Sequence, residues 1–254
     1  MDDFERIPVY RVEGDIQPES SYKEDSGNGE FRRSRLTWLT LFVLLILYPA
    51  LSVLSAEDPA TLFGNMSNQM LMVMLVSTII LQWCLFLLIY LTCLREQTGL
   101  IGLGLRRFTP RDIAWGVSLL LVAFLILAFL SWLLGLLGLP LPGEISMLIP
   151  TDTVGRVIWV AVSISAGVCE EVAFRGYLMT RLRLIGKFKS WTVPVIVSSV
   201  AFGACHYSYQ GLPGLILITV YGLLLALLFV RTGRLWPCIV AHFFQDFLAL
   251  FVPQ

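Results

Sequence analysis

"GVCEEVAFRG", residues 167–176, sets two adjacent carboxylates, Glu170 and Glu171, and a guanidinium, Arg175, inside a long apolar run. "RVIWVAVSISAGV" (156–168) leads into it and "GYLMTRL" (176–182) follows. A run of this length and apolarity is a membrane-span pattern. A charge at the centre of such a span costs at least ~2.5–3.5 kcal/mol on insertion scales, so ionisable residues there face a protein interior or a water-filled cavity and serve a function.

The composition around this stretch agrees. The chain has 254 residues, 57% of them hydrophobic and only 14% charged, with a mean hydropathy of +0.78. A soluble domain carries about 25% charged residues. The fold class is therefore all-α, a polytopic transmembrane helical bundle. Residues 1–35 differ from the rest, holding nine of the eighteen acids and six of the eighteen bases. Stretches such as "QPESSYKEDSGNGE" bury too little apolar surface to order themselves, so 1–35 is expected to be a disordered cytoplasmic tail and 36–254 the membrane domain. The tail lacks the basic start and apolar stretch of a signal peptide.

From residue 36 the chain falls into about seven apolar runs, near 36–55, 70–94, 113–137, 155–178, 191–207, 212–230 and 235–252. Each approaches the ~20 residues that cross ~30 Å of hydrocarbon. Basic residues alternate between the connections. Arg32, Arg33 and Arg35 precede the first run. Arg95, Arg106, Arg107 and Arg111 follow the second, Arg181, Arg183, Lys187 and Lys189 the fourth, and Arg231 and Arg234 the sixth. The connection after the first has only Glu57 and Asp58, that after the third only Arg156, and those after the fifth and seventh no base. The positive-inside rule then puts the N-terminus in the cytoplasm and the C-terminus outside, as in a multi-pass protein of a bacterial inner membrane. Zero net charge and a pI near 6.7 argue against a nucleic-acid partner. Asn65-Met66-Ser67 matches a glycosylation sequon, a frequent chance match. The five cysteines lie in or beside apolar runs without a CxxC pattern and are expected to pack as small apolar residues.

Few ionisable residues remain once topology is assigned: Glu170, Glu171 and Arg175, then His206, His242 and Asp246, which include both histidines of the chain. Glu171 and Arg175, four apart, share a helix face and can pair. Glu170 is offset by ~100° and stays free of the arginine. Phe202 and His206 are also four apart, as are His242 and Asp246, whose carboxylate can accept from or orient the imidazole. At ~1.5 Å per residue from the cytoplasmic arginines, Glu170 lies roughly 15 Å deep, His242 roughly 10 Å and His206 roughly 20 Å. Convergence needs tilt, a break near Pro194 or a late start to the fifth run. Together a carboxylate and a neutral imidazole can take a proton from water, while a second imidazole donates to an oxyanion. The same donor types suit a divalent metal such as zinc.

Three motifs in order, "EEVAFR" (170–175), "FGACH" (202–206) and "HFFQD" (242–246), fit EExxxR, FxxxH and HxxxN/D. With "FRGYL" and "RTGRLWPCIVAHF" beside them, they resemble the CPBP family: CAAX proteases and bacteriocin-processing enzymes, relatives of type II CAAX prenyl protease. The resemblance covers about residues 100–254. It implies an intramembrane endopeptidase acting on a membrane-associated protein or peptide. Glu170 and His206 would activate water, His242 and Asp246 would serve the oxyanion, and Arg175 with Glu171 would give support beside Phe202. It leaves zinc dependence open. Asp246 stands where many members have Asn, and an ionised Asp accepts hydrogen bonds but cannot donate them. A metal or proton transporter and a non-catalytic scaffold or immunity protein are the alternatives.

Overall fold

The computed structural model describes residues 33–58, 61 and 66–251. Of the tail expected over 1–35, residues 1–32 lie outside this range, as does Asn65 of the sequon. Seven helical segments carry the fold among the described residues, with no strand. They are α1 (Arg35–Leu54), α2 (Asn68–Glu96), α3 (Pro110–Leu136), α4 (Thr153–Ile185), α5 (Thr192–Ala204), α6 (Tyr207–Thr232) and α7 (Trp236–Phe251). Each falls on one of the seven apolar runs. Their starts follow local chemistry. The side chains of Ser34, Ser67 and Asp152 accept backbone N–H groups at the heads of α1, α2 and α4, and Thr109 with Asp112 caps α3 behind Pro110. Gln97 and Gly233, both left-handed, end α2 and α6.

Only α1, α2, α3, α4 and α6 are long and apolar enough to cross a bilayer. α5 has 13 residues and the α-helical part of α7, Trp236–Leu248, also 13, about 20 Å against a hydrocarbon thickness of ~30 Å. The expected fifth and seventh spans are therefore short helices, and the protein is an integral membrane protein with five full-length candidate spans. The centre belongs to α4 and α6, with 56% and 50% of their apolar windows buried; α2 and α3, at 17%, turn most of their surface outward. α5 packs chiefly on α6, and α7 on α3 and α4.

Small residues set the closest approaches. A Cβ on Gly167 would meet Ile239 O and Phe243 N of α7 at 3.2 Å, and one on Gly116 would meet Pro237 O at 2.7 Å. Lipid tails compete for apolar surface as well as leucine does, so membrane helices associate through such close packing and through polar bonds. One polar knot is fully buried and was not foreseen. Glu96 at the end of α2 pairs with Arg181 of α4 at 2.7 Å and accepts from Thr37 of α1 at 2.8 Å and from Tyr177 at 3.0 Å. Arg181 also donates to Thr98 at 2.8 Å. The sequence pattern puts Arg181 among the loop bases; the structure corrects this, because α4 runs on to Ile185 and carries the guanidinium inward. Arg234 likewise grips Asp112 through two nitrogens, at 2.6 and 2.8 Å, tying the head of α3 to the α6–α7 turn.

Breaking one side of a buried ion pair leaves the other charge uncompensated, at about 3–5 kcal/mol. Arg181→Leu should therefore lower stability by roughly that amount in a detergent melt or denaturant titration. A melt indistinguishable from the native one would show that the knot does not hold α1, α2 and α4 together.

Candidate active site

The site begins where α4 changes its winding. Glu170 and Glu171 end its α-helical part, and Val172–Leu178 continues as π-helix. Such bulges inside α-helices frequently occur at functional sites. Side chains add to its backbone bonds: Ser198 of α5 donates to Phe174 O at 2.9 Å, which also accepts from Met179 N, and Thr180 donates to Gly176 O at 2.5 Å and to Tyr177 O at 3.0 Å.

The two glutamates then diverge, as the ~100° helical offset requires. Glu171 is wholly buried. Its Oε1 accepts from Arg175 at 2.7 Å and lies 2.8 Å from Nδ1 of His242. Arg175 donates further to Gly222 O at 3.2 Å and stacks over the Phe202 ring at 4.3 Å. Glu170 stays clear of the arginine. Its Oε1 accepts from Gln82 Nε2 at 2.8 Å, and its Oε2 is buried without a hydrogen-bond partner among the described residues.

His242 comes from α7 and His206 from the junction of α5 and α6. α5 stops at Ala204, His206 caps α6, and Gly211, at φ 61° and ψ −157°, breaks the first turn of α6 from the remainder. The chain thus reverses between the end of α5 and the first turn of α6, and His206 sits at that reversal. Phe202 joins the two histidines, its ring lying 5.0 Å from that of His206 and 5.8 Å from that of His242. The edge of Tyr221 closes on His242 at 5.9 Å.

Hydrogen-bond roles fix the ring tautomers. A backbone carbonyl can only accept, so the 2.9 Å contact of His206 Nδ1 with Phe202 O places a proton on Nδ1 and a lone pair on Nε2 of a neutral ring. Glu171, bound to Arg175, likewise accepts from His242 Nδ1. The second nitrogen of His242, Nε2, faces Glu170 Oε2 at 3.8 Å and Asp246 Oδ2 at 3.7 Å. Both distances exceed a hydrogen bond. This revises one expectation: Glu171, not Asp246, orients His242, and Asp246 stands on the open side. The side chains of Glu170 and Asp246 keep 18% and 30% of their exposure, while Glu171 and Arg175 keep 0% and 1%.

Arg175 and His242 contact the two glutamates directly, Asp246 reaches them through His242, Phe202 through Arg175 and His242, and His206 through Phe202. No direct hydrogen bond joins His206 to Glu170 among the described residues. Among the described residues no group of three or more His, Cys, Asp or Glu is arranged to hold a metal ion. Gln82 carries no charge, so a reading of ionisable residues does not single it out; its signal in the sequence is a primary amide at the middle of α2.

Residues 152–248 match the family model described as type II CAAX prenyl endopeptidase, Rce1-like. The match begins at the N-cap of α4, ends with the last α-helical residue of α7, and contains all three motifs. It points to the CAAX protease class of membrane enzymes. No curated protein and no solved structure matches the chain.

The division between the glutamates is open to a stability measurement. Glu171→Gln removes the charge opposite Arg175, and breaking a buried pair costs about 3–5 kcal/mol. Its melting temperature in detergent should drop well below that of Glu170→Gln, which keeps an acceptor for Gln82. Equal melts for the two variants would contradict the assignment of the ion pair to Glu171 alone.

Proposed function

We propose that the protein is an intramembrane endopeptidase in which Glu170 and His206 activate a water molecule against a peptide bond of a membrane-associated substrate. The observation that carries this reading is the pairing of a sealed carboxylate with an open one. Glu171, without exposure, gives its Oε1 to both Arg175 and His242, whereas Glu170 keeps 18% of its exposure, is not paired with the arginine and turns Oε2 towards His242 Nε2.

The steps follow from the donors and acceptors. Water between Glu170 Oε2 and His206 Nε2 gives up a proton as its oxygen bonds to the scissile carbonyl carbon. The carbonyl oxygen, now an oxyanion, is met by Nε2–H of protonated His242, whose other nitrogen Glu171 holds. Oriented donors in a dry site are worth far more than in water. Collapse of the tetrahedral species breaks the C–N bond, and the proton held by Glu170 passes to the leaving amine. Asp246 favours the charged form of His242 across 3.7 Å and in its ionised form donates nothing itself. The family description suggests a prenylated protein C-terminus as substrate. No step needs a metal.

Positioned acid–base groups contribute roughly 10²–10⁴-fold. Glu170→Gln, near-isosteric but not basic, should lose roughly that much cleavage of a membrane peptide while keeping its fold. Asp246→Asn should stay active, because Asn meets the family pattern. Prenylated and unprenylated forms of one peptide, assayed with and without chelator, define the substrate. Full activity of Glu170→Gln would end the assignment, and loss on chelation with recovery by zinc would replace it by metal-bound water.

Orientation belongs to the same proposal: the alternation of bases puts the N-terminus in the cytoplasm. Reporters fused at Glu57 and at Lys187 should then fall on opposite sides of the membrane. Both on one side would overturn it.

A further inference from the structure

Gln82 is the middle residue of α2, a 29-residue helix that is otherwise apolar around it and turns most of its surface outward. A primary amide at that depth is costly unless its polar atoms find partners. Among the described residues its hydrogen-bond partner is the carboxylate of Glu170: Nε2 donates to Oε1 at 2.8 Å. The amide must face the carboxylate nitrogen first, because two oxygens cannot share a proton that neither carries. Its own Oε1 is buried without a partner. A residue kept only to lock helices would be placed to satisfy both ends of its amide; this one is satisfied only where it touches Glu170.

The neighbouring residue fixes the register. Trp83 Nε1 donates to Ser165 Oγ at 3.0 Å, so α2 is fastened to α4 one and a half turns before Glu170 and cannot rotate to withdraw Gln82. The consequence lies at the carboxylate. Occupation of Oε1 by Gln82 leaves Oε2 as the oxygen turned towards His242 Nε2, 3.8 Å away. We infer that Gln82 is a positioning residue that selects Oε2 of Glu170 as the oxygen that takes the proton, so that the working site includes a helix outside the family-matched segment 152–248. This rests on the peptidase reading above. A base misplaced by about 1 Å can lose ~10²-fold in rate, which is the scale such a bond protects.

Two measurements test it. In the cleavage assay, Gln82→Leu should lower kcat by roughly 10–100-fold with KM unchanged and the melt undiminished, since leucine suits the span. Combined with Glu170→Gln it should remove little more, because the bond acts through the carboxylate. Infrared difference spectroscopy reads the bond without any turnover: the carboxyl band lost in Glu170→Gln should shift in Gln82→Leu. A native kcat in Gln82→Leu, or a band that does not move, overturns the positioning role. A protein that cleaves nothing, yet whose band shifts, removes the peptidase reading while the Gln82–Glu170 bond stands.

Discussion

The structure turns on one oxygen, Oε1 of Glu171, which faces Arg175 at 2.7 Å and His242 at 2.8 Å with no exposure to solvent. A buried ion pair with a missing partner is a large penalty, and even a complete one gains little over apolar packing. What this pair supplies is geometry. Arg175 extends it to Gly222 O on α6 and to the face of Phe202 on α5, and His242 extends it to α7. Four helices are thereby indexed to one carboxylate. The tautomer of His242 follows from it, and with the tautomer the direction of Nε2. Because Glu170 is the next residue in a helix, its side chain has to leave on another face, towards α2 and the open side. The two adjacent carboxylates are thereby set apart, one in the ion pair and one on the more exposed side.

Depth is the second constraint. Three groups on separate helices meet only if each helix delivers its residue to the same level. The chain solves this with departures from regular helix: a π-helical stretch after Glu171, a 13-residue α5 that ends before His206, and a break at Gly211. Side-chain hydroxyls of Ser198 and Thr180 add bonds to the carbonyls of the π-helical stretch.

The same contrast explains what could be read in the sequence. Hydropathy located all seven helices within a few residues at most ends, because apolar length is a property of consecutive residues. The four-residue spacing of Glu171 and Arg175 gave their pair, a local relation on one helix. Spacing gave His242 and Asp246 the same standing, yet Nε2 and Oδ2 are 3.7 Å apart and the imidazole is held from another helix. A tertiary bond of 71 residues' separation leaves no periodic trace. Arg181 misled for the converse reason: a base at the end of an apolar run looks like a loop signal until its partner, Glu96, 85 residues earlier, is seen. Whether a terminal helix turn is solvated is decided by what packs there.

That last point bears on where the functional unit ends. The segment 152–248 holds the motifs, but α1 to α3 join the same apolar core and are also tied in by polar bonds at particular points. Thr37 reaches Glu96, Trp83 reaches Ser165, Gln82 reaches Glu170, and Asp112 holds Arg234. In a solvent of hydrocarbon there is little to gain from apolar contact between helices, so bonds of this kind and close glycine contacts decide which faces meet. A sheath that only insulated the site from lipid would need none of them. These helices are aligned, and one of the alignments ends on Glu170.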